Sequence, residues 1–224
     1  MRRPRLILPN ENRGDYPRLY PGDIAGVKGK GPLLWLSQHL LEPRTDRVHF
    51  FVIGDYIPWD DDYVILESIG KGIAVGRLSF YKPEELEIYR VNLTRDPRMR
   101  KLEDQMRKEA AAALSRLGRA RYDYILYIQL IFGALFLLLR GKLPPWRSRD
   151  MPYGRNRSYI CTEAAAEAWR AVGHPIIPAW VVPTPAAFKQ ALMDKKMRRI
   201  FPRIDHVVIT LDRKWISRLG GLIK

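Results

Sequence analysis

The sequence predicts one α+β domain in which an antiparallel sheet packs against helices. Between residues 47 and 93, segments rich in β-branched and aromatic residues alternate with short connections, as antiparallel strands do. Later segments have helical composition and clear ends. The chain has 224 residues, 46% of them hydrophobic, which is enough for one buried core. We expect a basic irregular N-terminal arm over residues 1–21 and a single domain over 22–224.

Four strands are predicted, over residues 47–54, 62–68, 72–80 and 86–93. Pro58 and the neighbouring acidic residues predict a hairpin loop over residues 55–61. The other connections are also short, so we expect these strands to form a four-stranded antiparallel meander. A further short strand over 22–27 and a short buried helix over 33–41 are expected before them.

Helix boundaries are marked by residues with known terminal preferences. Asp96 as N-cap, Pro97 at the first helical position and Gly118 as a stop predict a helix over 98–117. A second helix is expected to begin around residues 158–163 and to end at Gly173. A third is expected over residues 183–196, with Thr184 or a neighbour as its cap, followed by a strand over residues 206–211.

Composition narrows the functional classes. The single cysteine, Cys161, excludes an intramolecular disulfide framework and any cysteine-cluster zinc or iron–sulfur site. The formal net charge of +15 favours an anionic partner such as a membrane surface or a wall polymer. Nucleic acid is not favoured, because no zinc finger, RRM motif or dense basic run is found.

The N-terminus resembles a signal peptide only in its charge. Three apolar residues before Pro9 are too few for a secretory core, so we expect a leaderless protein of the cytoplasm, or one peripheral to a membrane. Residues 124–139 are strongly apolar, but about 16 residues of helix reach only about 24 Å, which is short for a bilayer. Three interpretations stay open: a buried or partner-facing helix, an interfacial helix on a membrane, and a span.

Cys161 is the candidate nucleophile. It follows a loop rich in proline, glycine and arginine and lies where a helix is predicted to begin. The first turn of a helix presents unpaired N–H groups and positive dipole charge, which favour a thiolate and can bind an oxyanion. The alternative is a small buried cysteine without a chemical role.

His49 is the candidate base, and Glu67 its candidate partner. A hairpin symmetric about Pro58 pairs residue 54 with 62 and therefore His49 with Glu67, on one face of the sheet. An ordinary surface His–Glu pair is the alternative. His206 is a rival base, since it follows the cysteine and begins a predicted strand, but no carboxylate is evident near it. The acidic run 60–62 is interpreted as a solvated turn rather than a metal site.

The order of these motifs resembles the circularly permuted branch of the NlpC-type papain-like cysteine hydrolases, the YiiX-like family. The motifs, in chain order, are Gly22-Asp23-Ile24, the His49 strand, the Glu67 strand with its following glycines, Tyr122-Asp123, the Cys161 segment and Pro183-Thr184-Pro185. The two phenylalanines after His49, the very apolar 124–139 run and the basic arm depart from the family pattern.

The resemblance implies a permuted papain-like fold and a thiol hydrolase, an amidase or peptidase, with an acyltransferase as a variant. Cys161 would be the nucleophile, His49 the base and Glu67 its orienting partner. No metal or organic cofactor is needed. The implied substrates are peptides, peptidoglycan fragments or acyl lipids, with residues 124–139 as a candidate membrane contact. A non-catalytic membrane- or polymer-binding protein on a decayed hydrolase fold is the alternative.

Overall fold

The computed structural model describes residues 18–93, 100–118, 120, 122–123, 132, 146–150 and 159–201. Within them, the strands are β1 (Ile24–Lys28), β2 (Leu41–Glu42), β3 (Arg47–Ile57), β4 (Asp62–Ile69), β5 (Gly72–Arg77), β6 (Leu86–Val91), β7 (Trp146–Arg147) and β8 (Met197–Phe201). The α-helices are α1 (Pro32–His39), α2 (Arg100–Arg116), α3 (Cys161–Ala171) and α4 (Pro185–Met193). The chain is an α+β protein, and in the part that the structure describes four helices pack on a six-stranded antiparallel sheet.

The main sheet has the strand order β5-β4-β3-β1-β6-β8, and all its neighbouring strands are antiparallel. The short strands β2 and β7 pair with each other in parallel and form a separate two-stranded sheet. The predicted four-stranded meander is therefore wrong in its last step. Strands β3, β4 and β5 form consecutive hairpins, but β6 pairs with β1 on the far side of β3 and not with β5.

The connection between β5 and β6 explains this difference. It contains two 3₁₀ turns, Leu78–Phe80 and Pro83–Glu85, where the prediction had extended a strand to residue 80. Eight residues can reach about 27 Å, and β5 and β6 are separated by four strand spacings of about 4.8 Å each. The segment is thus long enough to cross the sheet, and β6 pairs with β1 instead of with β5.

The β3–β4 hairpin is tighter than predicted. Its turn lies over residues 58–61, with Ile57 opposite Asp62, and a bulge lies between Ile53 and Tyr56. The predicted pairing of His49 with Glu67 is wrong, because Glu67 is opposite Phe51. The error is two residues, and a shift by an even number leaves every side chain on its original face.

The two faces of the sheet have separate cores. On one face, strand residues such as Phe50, Val52 and Leu66 pack with α2, α3 and α4, whose largest buried side chains there are Trp169 and Phe188. The other core contains strand residues such as Phe51, Ile53 and Ile65, packed with Leu19 and Leu78. Successive strand residues point to opposite faces, so His49 lies on the face of Phe51.

Helices α2, α3 and α4 lie within the predicted segments, and Thr184 accepts a hydrogen bond from the N–H of Ala187, as an N-cap does. Strand β8 was not predicted. The expected strand over 206–211, the arm up to residue 17 and nearly all of the apolar 124–139 segment lie outside the described residues. No helix among those described is long and apolar enough to cross a membrane.

A buried ion cluster fixes the start of β1. The carboxylate of Asp23, fully buried, accepts hydrogen bonds from Arg90 at 2.7 and 3.0 Å and lies 3.6 Å from Arg107. Gly22 has φ +85°, and a Cβ there would lie 2.8 Å from the carbonyl oxygen of Arg107. Trp169 donates to the carbonyl of Gly22 at 3.0 Å, so the Gly-Asp pair ties β1 to α2 and α3.

Candidate active site

Cys161 is the first residue of α3, and its position is held on both sides. The N–H of Ile160 donates to the Glu163 carboxylate at 3.0 Å, which satisfies a group at the helix N-terminus. Just before it, the Ser68 hydroxyl of β4 donates to the carbonyl of Tyr159 at 2.6 Å. The segment that presents the thiol is therefore attached to the helix that follows it and to the sheet beneath it.

The thiol lies beside β3, near the point where β3 and β4 separate. The ladder between these strands begins at Phe51 and Glu67, which leaves the first residues of β3 without β4 partners. The Sγ of Cys161 lies 3.9 Å from the carbonyl oxygen of Val48, and the backbone groups of Phe50 and Thr162 lower the pKa of the thiol. Because β3 and β4 diverge here, the candidate nucleophile lies against backbone groups of β3.

His49 contacts both other members of the predicted trio. Its Nε2 lies 2.8 Å from Oε2 of Glu67, and its imidazole lies close enough to the Cys161 thiol for each group to shift the pKa of the other. Since Nε2 faces the carboxylate, Nδ1 is the ring nitrogen left for the sulfur. The structure therefore brings Cys161, His49 and Glu67 together in a line, from thiol to imidazole to carboxylate.

Tyr81 is a fourth member that the sequence analysis missed. Its hydroxyl donates to Glu67 at 2.6 Å, on the same oxygen that faces His49. Its ring stacks against Phe51 with centroids 4.8 Å apart and against His49 at 6.2 Å. Tyr81 directly follows a segment that was predicted as a strand up to residue 80. No local sequence pattern indicates that the connection between β5 and β6 turns back across the sheet.

The site shifts the pKa values of its groups. Burial alone would lower the pKa of His49, but its hydrogen bonds to Cys161 and Glu67, together with their charges, raise it to about 10. Burial alone would raise the pKa of Cys161, but His49 and two backbone N–H groups lower it overall. These shifts have opposite signs and favour a thiolate–imidazolium pair at neutral pH.

The carboxylate and the phenol complete this arrangement. Burial would raise the pKa of Glu67, yet the hydrogen bonds from His49 and Tyr81 hold it below its usual value. Burial and the neighbouring Glu67 both raise the pKa of Tyr81, so its hydroxyl stays protonated and remains a donor. Glu67 is consequently anionic at neutral pH, with two donors on one oxygen.

The imidazole of the trio is more exposed than the carboxylate. Cys161 is half-buried, the His49 side chain is 25% exposed and the Glu67 side chain is 11% exposed. The imidazole can therefore be reached from solvent, whereas the carboxylate is shielded.

The other candidates take different roles or fall outside the described residues, as His206 does. Asp62, in the acidic run interpreted as a solvated turn, is instead buried and accepts hydrogen bonds from the backbone and hydroxyl of Ser79. Among the residues that the structure describes, no group of three His, Cys, Asp or Glu side chains could hold a metal ion.

Comparison of the chain with protein-family models and with curated proteins gives no match.

Proposed function

We propose that the chain is a cysteine-dependent hydrolase, an amidase or peptidase, that acts by acyl transfer to Cys161. The observation that supports this most directly is the line of contacts from Cys161 to His49 to Glu67. A nucleophile, a base in hydrogen-bond reach of it and a group that orients the base are the three parts that thiol catalysis requires.

In the proposed reaction, the Cys161 thiolate attacks the carbonyl carbon of an amide or ester and forms an S–C bond. Charge develops on the carbonyl oxygen, and the N–H of Cys161 in the first turn of α3 is the proposed first donor to it. The His49 imidazolium then gives its proton to the leaving nitrogen or oxygen as the C–N or C–O bond breaks.

Hydrolysis of the acyl-enzyme reverses the proton flow. Neutral His49 takes a proton from water, the resulting hydroxide adds to the thioester carbonyl, and the thiolate leaves as the acid product forms. His49 ends protonated, next to a thiolate, as it began. Glu67 supports the imidazolium in both halves through its 2.8 Å contact with Nε2. An alcohol or amine in place of water would make the protein a transferase.

We further propose that the fold is papain-like and circularly permuted, as in the YiiX-like family. A nucleophile at the first turn of α3, packed on an antiparallel sheet whose β3 supplies the histidine, supports this. The same resemblance suggests peptide, peptidoglycan-fragment or acyl-lipid substrates.

The test uses an activated ester that needs no substrate recognition. Purified protein is mixed with p-nitrophenyl acetate, and the release of nitrophenolate is followed while the protein is analysed by mass spectrometry. We expect a burst of product and an acetyl group on Cys161, both absent in Cys161→Ser. A Cys161 that is neither acylated nor ionised below the free-thiol pKa of about 8.5 would instead favour a non-catalytic binding protein.

A further inference from the structure

Tyr81 lies in the connection between β5 and β6, close to the candidate site. Its hydroxyl and the imidazole of His49 bind the same oxygen of Glu67, at 2.6 and 2.8 Å. A carboxylate has two oxygens and rotates freely unless donors fix it. Two donors on one oxygen, from two different parts of the chain, leave Glu67 a single orientation, which points that oxygen at His49.

The Tyr81 hydroxyl is itself held in place. The preceding 3₁₀ turn is anchored by the buried side chain of Leu78 and by Asp62, which accepts from the Ser79 hydroxyl at 2.6 Å and from its N–H at 3.2 Å. The N–H of Tyr81 donates to the carbonyl of Leu78 at 3.0 Å. Asp62 therefore fixes the turn that delivers Tyr81 to Glu67.

We propose that Tyr81 is a positioning residue for the proposed reaction, and that its hydroxyl keeps Glu67 ionised and directed at His49. This inference rests on the proposed function, since it assigns Tyr81 a role through Glu67 and His49. The aromatic ring has a separate role, because it covers Phe51 and His49 and contributes to packing. The hydroxyl can therefore be removed while the ring remains.

The groups that act on the Glu67 charge are few among the described residues. His49 comes from β3 and Tyr81 from the β5–β6 connection, while the side of β5 that faces Glu67 contributes Ala74 and Gly76, which are uncharged. Cys161 of α3 acts on it through His49. Without the Tyr81 hydroxyl, only His49 would hold Glu67 ionised, and protonation of Glu67 would weaken the thiolate–imidazolium pair at higher pH than in the wild type.

Cys161 is the only cysteine, so its alkylation by iodoacetamide reports on this pair without a substrate. The test measures the alkylation rate against pH in wild type and Tyr81→Phe. We expect the acid limb of the profile to move to higher pH by about half a unit or more, which is about a threefold lower rate on that limb, with an unchanged plateau. A purely packing role would alter the melting temperature or the plateau and leave the limb in place.

Tyr89→Phe is the matched control. Tyr89 also donates its hydroxyl to a glutamate, Glu87, but that pair lies outside the site. Its alkylation profile should equal that of the wild type. Ser79→Ala is a second variant, which loosens the turn before Tyr81. It should move the acid limb to higher pH, by less than Tyr81→Phe does. If Tyr81→Phe does not fold, Ser79→Ala provides the test of the role of Tyr81.

An acid limb that stays within about 0.2 unit of the wild type in the folded variants overturns the role of Tyr81 and leaves the proposed function standing. A wild-type thiol that ionises at or above the free value of about 8.5 overturns both, and it does so in the wild-type profile alone.

Discussion

Glu67 lies diagonally across the β3–β4 ladder from His49, opposite Phe51, and its Oε2 is 2.8 Å from Nε2 of the imidazole. Diagonal neighbours on one face of a sheet are within reach of long side chains. The offset places the carboxylate beyond the imidazole and away from the thiol. The ring is thus left between its two partners and can pass a proton on the thiol side while it remains bound on the other.

The pH dependence of turnover should be bell-shaped. Activity requires the thiolate, so it should rise through the lowered pKa of Cys161, below about 8.5. It also requires protonated His49, so it should fall as pH rises through about 10. Alkylation needs only the thiolate and should show the acid limb alone. A basic limb near the ordinary histidine value would contradict the imidazolium assignment.

His49→Ala should remove the support for the thiolate. The pKa of Cys161 should then rise, because burial opposes ionisation and its main counterweight is gone. We expect turnover of an activated ester to fall by about 10²-fold or more. Alkylation at neutral pH should fall about tenfold. His39→Ala serves as control, since His39 is exposed and its ring bonds to and stacks on Trp35 of the same helix. The His206→Ala variant should keep most activity. A loss of activity in that variant would identify His206 as the base instead of His49.

Glu67→Gln should lower the pKa of His49 by about one unit or more, because it removes an opposite charge next to the ring. The basic limb of the activity profile should move to lower pH accordingly. The pH dependence of the free energy of unfolding gives an independent test. The pKa of Glu67 is lowered in the folded protein, so its contribution is present above the unfolded value of about 4.3 and is lost as pH falls. The variant should therefore lose less stability on acidification than the wild type does.

Gly76→Val should disturb Glu67 by packing. A Cβ at Gly76 would lie 3.1 Å from Ile65 and 3.4 Å from Oε1 of Glu67, and valine adds two methyl groups to it. We expect a loss of about 1–3 kcal/mol in the free energy of unfolding, as for an overpacked core, together with lower turnover. Val75→Ala, at the exposed neighbouring position, should change stability by no more than about 0.5 kcal/mol. Equal effects of both changes would show that Gly76 does not make room for the carboxylate.

Asp23→Ala should be the most destabilising change of those considered. It leaves Arg90 and the buried Arg107 without their shared carboxylate, and breaking a buried ion pair costs about 3–5 kcal/mol. Urea unfolding measures this loss. Lys30→Ala, in the exposed pair with Glu85, should cost less than about 1 kcal/mol. If Asp23→Ala cost no more free energy of unfolding than Lys30→Ala does, the cluster would not hold β1 to α2.

The sequence by itself predicted three of the four residues that meet at the candidate site, Cys161, His49 and Glu67, and the local elements that carry them. Cys161 begins α3, and Thr184 caps α4, because helix ends depend on residues within one turn of them. The strand period also predicted that Glu67 and His49 share a face. That prediction is correct although the predicted register is wrong, because side chains alternate with a period of two and the register error was two residues.

Tertiary structure decided the register, the strand order and the fourth member of the site. The bulge between Ile53 and Tyr56 and the crossing from β5 to β6 both depend on what the strands pack against, which no local pattern contains. Tyr81 meets Glu67 only because that crossing returns over Phe51. Local composition determines where helices and strands form, whereas contacts between distant segments determine which strands pair and what their connections cover.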